Sequence, residues 1–295
     1  MHKKQTERNY IASSAYVTVT DMGHIVEVQH MERKNSKCHI QKLDKERYVL
    51  LETGEIMEFE QSENRSENEN SLRQTFKRLR YLINNNFTGA SNELFVTMTY
   101  KENMQDTTRL YEDLKNFMKR LRYHFKDSTS IDYLNVIEPQ LRGAWHSHLL
   151  LRFNDLDEVF VPNSEIAELW GHGFTVTKSL KEVDNIGAYL SAYLSDVEIP
   201  EGQEINEDRP DVMVKNVDGK DKRFIKGGRL WMYPPGMNLY RSSRGIVKPK
   251  REEMTYKNAK KIVGSAKPNY TKTYLVEKED FKNTITYEQY NLKRL

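Results

Sequence analysis

Two histidines separated by one residue, His146-Ser147-His148, are the side chains in this chain best placed by type and spacing to do chemistry. The segment around them, Ala144–Phe153, reads as a strand, and because side chains alternate along a strand both imidazoles face the same way and can bind one cation. Ile131–Glu138 reads as the preceding strand and Pro139–Gly143 as the turn between the two. With that turn centred near Arg142, Glu138 falls directly across from His146 and adds a carboxylate. Two ring nitrogens and an oxygen suit a divalent ion that keeps positions open for a phosphate and water; magnesium or manganese is expected, and zinc is compatible. Further along, Tyr189 and Tyr193 stand four residues apart on a segment, Val183–Asp196, that reads as a helix, so their rings share a face one turn apart. A tyrosine that attacks phosphorus stores the energy of the cleaved bond in a phosphotyrosine ester, and a neighbouring second tyrosine can receive the next strand. Each pattern also has a plainer reading: histidines satisfied at a surface, and a tyrosine pair packed beside Ile186 and Leu190.

The elements that must position these residues follow from periodicity. From Ser71 onward Leu72, Phe76, Leu79, Leu82 and Ile83 recur at helical spacing, and the helix should end near Asn84–Asn86. Leu94–Tyr100 is β-rich, and Thr107–Phe125 is an amphipathic helix carrying Leu110, Leu114, Phe117, Met118 and Leu121. Ser164–Trp170 reads as a short helix and Gly173–Leu180 as a strand. The order β-α-β-β-α-β-α predicts an α+β domain with an antiparallel sheet and its helices on one face. Upstream, Tyr16–Thr20 and His24–Val28 flank a turn at Met22-Gly23, and Tyr48–Leu51 and Ile56–Phe59 flank Thr53-Gly54. The stretch Gln61–Asn70 has no aliphatic residue and reads as a solvated connection. Three parts are expected: a small β-rich region over 1–66, a catalytic-sized domain over 67–200, and a basic extension over 201–295.

Composition narrows the classes. The 295 residues carry a net charge of only +3, yet residues 215–267 hold fifteen Lys or Arg against four Asp or Glu. In that region Trp231, Tyr233 and Tyr240 interleave with Arg229, Arg241 and Arg244, a mixture that suits single-stranded DNA because rings stack on bases while cations follow phosphates; packing of the same tract as a loop is the alternative. His172, in Trp170-Gly171-His172-Gly173, reads as structural. No apolar run approaches the roughly 20 residues of a membrane-spanning helix. The N-terminus has no secretory pattern and Cys38 is the single cysteine, so a cytoplasmic location is expected.

Taken together, Phe95–Tyr100, the stretch from Glu138 through Gly143-Ala144-Trp145-His146-Ser147-His148, and Gly187-Ala188-Tyr189-Leu190-Ser191-Ala192-Tyr193 resemble, in order and spacing, the three motifs of HUH-class rolling-circle replication initiators. The resemblance covers roughly residues 70–200 and is closest to the two-tyrosine replication proteins of Gram-positive plasmids and phages; the tract Tyr233–Gly245 is similar to a C-terminal feature of such proteins. It implies an HUH endonuclease domain of ferredoxin- or RRM-like βαββαβα type. His146, His148 and Glu138 would hold magnesium or manganese, and Tyr189 and Tyr193 would be the nucleophiles. The products implied are a 5′-phosphotyrosine and a free 3′-hydroxyl primer, with strands rejoined at termination. The partners implied are single-stranded or cruciform origin DNA and a host helicase and DNA polymerase. Two departures stand out. Ser147 occupies a position that is usually hydrophobic, and Ala192 and Asp196 stand where many relatives carry lysine, so positive charge must come from Arg142, Lys178 or Lys181. A transposase or relaxase of the same class, or a nucleic-acid-binding module without catalysis, are the competing readings.

Overall fold

The computed structural model describes residues 2–6, 10–34, 38–44, 46–59, 69–140, 142–181, 183–188, 190, 197–199, 212–217, 220–225, 232–234, 237–278 and 281–294. In chain order the first elements are β1 (His2–Thr6), β2 (Tyr16–Met22), β3 (Ile25–Met31) and a small meander of β4 (Ile40–Lys42), β5 (Arg47–Leu50) and β6 (Ile56–Glu58). Then come α1 (Glu69–Asn86), β7 (Glu93–Met98), α2 (Thr107–His124), β8 (Ile131–Pro139), β9 (Trp145–Phe153), α3 (Asn163–Trp170) and β10 (Thr175–Ser179). These are followed by β11 (Val197–Glu198), β12 (Val212–Val217), β13 (Lys220–Ile225) and β14 (Tyr240–Ser242). The chain closes with β15 (Lys250–Thr255), α4 (Tyr256–Val263), β16 (Tyr270–Lys278) and β17 (Phe281–Asn291). Among the described residues no helix is long and apolar enough to cross a membrane.

The larger unit, residues 64–248, is built on an antiparallel sheet of order β10-β7-β9-β8-β14. It is the expected α+β domain. Its central strands are nearly continuous apolar runs, Leu94-Phe95-Val96 on β7 and Leu149-Leu150-Leu151 on β9, and all six of these side chains are buried. Such strands need cover on both faces. Leu94, Val96, Leu149 and Leu151 pack with Leu110, Leu114, Phe117 and Leu121 of α2 and Ile166 and Trp170 of α3. Phe95, Leu150, Leu134 and Val136 pack instead with Leu79, Leu82 and Ile83 of α1 and with Leu180, Ile186 and Leu190. The expectation of helices on one face is corrected accordingly: α1 lies opposite α2 and α3, because the odd and even residues of the central strands are both apolar.

Local signals set the helix boundaries. Asp106 caps α2 by accepting the N–H groups of Thr108 and Arg109, which satisfies donors that have no partner inside the first turn. At the end of α1 the buried Glu93 carboxylate accepts the N–H groups of Thr88, Gly89 and Ala90. Arg152 donates to Asn86 O at 2.8 Å and pairs with Asp132 at 3.0 Å. These contacts tie the helix to the far end of the sheet. Helix α1 begins at Glu69, two residues before the sequence pattern places it; the rest of the expected connection lies outside the described residues.

The smaller unit joins residues 1–63 to 249–295. Its antiparallel sheet has the order β1-β16-β17-β3-β2-β15, so strands from the two ends of the chain alternate. Helix α4 covers one face, with Ala259 and Val263 packed on Val17, Val19, Val26, Val28 and Tyr290. Three consecutive parts therefore give way to a nested arrangement: the larger unit is inserted between the halves of the smaller one, and the basic extension supplies β15, β16 and β17. Truncation after Lys248 would leave β2 and β3 as an isolated hairpin, which is marginal in water. Limited proteolysis of that truncated chain should cleave the N-terminal segment while leaving residues 69–181 resistant; equal protection of both would contradict the nested arrangement.

Candidate active site

The β8–β9 pairing sets the site. Val136 pairs with His148 and Glu138 with His146, the placement expected from the turn. The two histidines project from the face that carries Leu150 and α1, not from the face of α2 and α3. On the adjacent strand Thr97 pairs with His148, and its hydroxyl lies 3.3 Å from His148 Nδ1. The His148 ring stacks on Phe95 with centroids 5.7 Å apart and planes 5° from parallel. Its Nε2 is hydrogen-bonded to Glu138 Oε2.

Burial lowers the pKa of His148 to about 4. At neutral pH it therefore has one N–H, and an ionised carboxylate can only accept, so Nε2 donates to Glu138 and Nδ1 is left to accept from Thr97. His146 is also lowered to about 4, first by burial and then by the charges of His148 and Arg142. Its Nε2 is buried and has no hydrogen-bond partner. An unpaired buried nitrogen costs free energy, and a neutral imidazole with its lone pair unused is the form that binds metals. The donor set of two imidazoles and a carboxylate thus fits a small divalent ion chemically. In this conformation the donors do not surround a common point, since His148 and Glu138 bond to each other, and among the described residues no group of three or more His, Cys, Asp or Glu side chains is arranged to hold a metal.

The tyrosine-bearing segment starts over this same face. Residues 186–188 are helical, and the helix starts three residues later than Val183 because Asn185 caps it, its Oδ1 accepting Ala188 N–H at 3.0 Å. Asn84 of α1 accepts Gly187 N–H at 2.8 Å. A Cβ on Gly187 would lie 2.6 Å from Asn84 Oδ1 and 2.9 Å from Arg80 Cγ. Ile186 and Leu190 pack beside α1. Tyr189 and Tyr193 themselves lie outside the described residues, as do Arg229 and Trp231.

The other sequence candidates divide by face and by end of the sheet. Arg142 is exposed in the β8–β9 turn, its Nε donating to Gln140 at 2.9 Å, and its charge is felt at His146. Tyr240 pairs with Val136 and continues the His148 row on the same face. Lys178 pairs with Phe95, on that face at the opposite edge. Arg241 points the other way, with its guanidinium 3.6 Å from the Tyr111 ring centroid on α2. Arg244 follows the β14 strand near Asp132, roughly 20 Å from Glu138 at about 3.3 Å per strand residue. Neither Arg241 nor Arg244 joins the site. Tyr233 is buried, with its hydroxyl donating to Ile137 O. Ser147 is buried on the far face and donates to Asn135 Oδ1, so its departure from a hydrophobic residue is absorbed by packing. Thr97, Phe95 and Asn84 are contributors that spacing alone did not single out; Thr97 and Phe95 sit in the β-rich motif, but only strand pairing brings them to His148.

Residues 93–198 match the family model of the replication-associated protein ORF2. That stretch contains β7 to β10, both histidines, Glu138 and the start of the tyrosine-bearing helix, and the match supports a replication-initiator family for it. No curated protein and no solved structure matches the chain.

Two outcomes follow from the geometry. With folded pKa values of about 4 against 6.5, the unfolded chain takes up protons at pH values where the folded one does not. Stability should be full above pH 6.5 and fall as pH drops toward 4, by up to about 1.4 kcal/mol per pH unit per histidine; thermal unfolding in that window should show a flatter profile for His148→Gln than for wild type. Gly187→Ala should cost about 1–3 kcal/mol through overpacking against α1, read as a lower melting temperature, whereas Ala188→Gly on the exposed side should cost no more than about 1 kcal/mol.

Proposed function

We propose that this chain is an HUH-type replication initiator that nicks one DNA strand through a tyrosine and remains covalently attached to it. The observation that carries the reading is the pair of cross-strand rows, Glu138–His146 and Val136–His148–Thr97, on the sheet face from which the Gly187-Ala188-Tyr189 helix starts. The match of residues 93–198 to replication-associated proteins supports the same reading.

In this reading His146 and His148 offer ring nitrogens and Glu138 an oxygen to magnesium or manganese. A bound divalent ion would supply positive charge to the scissile phosphate. His148 would release its Nε2 proton, and Nδ1–H would then donate to the Thr97 hydroxyl, which fixes the ring as outer contacts commonly do for metal-bound histidines. Arg142 is the cation closest to the role that lysines after the tyrosine fill in relatives. Tyr189, or Tyr193, attacks phosphorus: the tyrosine O–P bond forms, the bond from phosphorus to the 3′ oxygen breaks, the tyrosine loses its proton and the departing 3′ oxygen takes one up. The product is a 5′-phosphotyrosine and a 3′-hydroxyl able to prime synthesis. Free tyrosine has a pKa of about 10, so attack needs that proton transfer. Single-stranded or cruciform origin DNA would be the substrate, and a host helicase and polymerase would extend the primer.

The reading is tested by incubating the protein with a single-stranded, origin-like oligonucleotide and manganese, then running denaturing electrophoresis. A protein–DNA adduct should form and should be lost with EDTA, with His148→Ala and with either Tyr189→Phe or Tyr193→Phe. Thr97→Val should slow adduct formation roughly 10- to 100-fold, the range for losing an outer contact to a metal-bound histidine. DNA binding without an adduct across a broad panel of sequences would favour a binding module without catalysis.

A further inference from the structure

The sheet face that carries the histidines does not stop at them. The register of β7 with β9 and β10, extended by one residue, aligns His146, Thr99 and Phe174 in one row. Thr99 N–H donates to Phe174 O at 2.9 Å, and the Thr99 hydroxyl to the same oxygen at 3.0 Å. The next row holds His148, Thr97 and Val176, and Lys178 follows on the same face of β10. Exposure rises along both rows toward the β10 edge: Glu138 is 5% and Val136 2% exposed, whereas Phe174 is 76% and Val176 51% exposed. The site is closed on the β8 side and open on the β10 side, with a bare phenyl ring at its mouth.

That ring is held in a rigid frame. Trp170 is fully buried and donates Nε1–H to Thr99 O at 2.8 Å. Lys101 N–H donates to His172 O at 3.1 Å, and His172 Nε2 lies 3.4 Å from Asp113. A Cβ on Gly173 would stand 2.3 Å from Thr99 O and 2.8 Å from Lys101 N, so only glycine allows this approach of the two chains. The Trp170-Gly171-His172-Gly173 motif, read in the sequence as structural, thus locks the residue before Phe174 against the end of β7. An exposed aromatic ring on a locked backbone loses little freedom on binding, which is the arrangement expected of a binding anchor.

We propose that Phe174 is the stacking platform for a base of single-stranded DNA next to the phosphate engaged at His146 and His148, with Lys178 following the backbone along β10. The proposal rests on the reading of the histidine site given above. Phe174 stands two strand spacings from His146, roughly 10 Å, so a strand entering from the open β10 edge passes the ring before reaching the histidines. Every base has a face that can stack on an aromatic ring, whatever its sequence, while a lysine on the same stripe matches the phosphate charge.

The test measures the affinity of the full chain for a short, mixed-sequence single-stranded DNA oligonucleotide by fluorescence anisotropy in EDTA, which removes cleavage from the readout. Phe174→Ala should weaken binding about 10-fold, the loss of one base–aromatic stack. Phe174→Trp should bind at least as well as wild type, and Phe174→Leu, which keeps apolar area without a ring face, should bind nearly as weakly as Phe174→Ala. Melting temperatures should be unchanged, since the side chain is mostly exposed. Wild-type affinity in Phe174→Ala or in Phe174→Leu would overturn the proposal. Affinity that depends on Phe174 in a protein forming no covalent adduct would sink the nicking mechanism and leave the platform standing; adduct formation with Phe174-independent binding would do the reverse.

Discussion

Everything on the histidine face depends on the register between β8 and β9. A slip of one residue would turn His146 and His148 into the packing of α2 and α3 and bring Ser147 out in their place, because the side-chain period of a strand is two. The register is held by a short turn and by the apolar residues that follow it. Leu149 and Leu151 must meet one helical layer while Leu150 meets the other, and no other alignment satisfies both. The same pairing lines up Glu138 with His146, so the charge partner of the histidines comes from the hairpin and not from a loop. Sites built on paired strands hold their groups more closely than sites on loops do.

Two-sided burial of that sheet also determines where chemistry can occur. Helix α1 covers the Leu134–Leu150–Phe95 row completely, but the following rows carry His148 and Thr97, then Glu138, His146 and Thr99. The polar groups begin where the helix cover ends. Partial burial keeps both histidines neutral, and the cost of leaving His146 Nε2 without a partner is the kind of local penalty that packed surroundings can hold in reserve for a ligand.

Charge is arranged differently from what the count along the chain suggests. The lysine-rich C-terminal region looks like one DNA-binding tail, but its residues are used in several ways. Arg241 lies on the Tyr111 ring, Tyr233 fills the core beneath β8, and Lys250 and Arg251 stand on a strand of the smaller unit. Only Tyr240 from that tract shares the histidine face. Cations near the site are few, with Arg142 at the turn and Lys178 on the edge strand, which leaves a larger electrostatic role to any bound divalent ion.

Much of the larger unit was legible in the sequence because it rests on short-range rules. Alternation placed His146 and His148 on one face, turn symmetry set Glu138 opposite His146, and helical spacing located α1, α2 and α3 to within a few residues. Those signals are properties of one strand or one helix and need no knowledge of the rest of the chain. What tertiary structure alone decided involves partners distant in sequence. That α1 lies opposite α2 depends on which apolar parity each helix meets; that β17 pairs with β3 depends on residues more than two hundred positions apart; that Thr97 and Phe95 frame His148 depends on β7 lying beside β9. Composition could not separate Arg241 from Lys178, since a charge along the chain carries no record of which face it will occupy. For the same reason Phe174 passed as one more strand residue, and only the close packing of Gly173 on β7 explains why an aromatic ring at that edge stays in solvent.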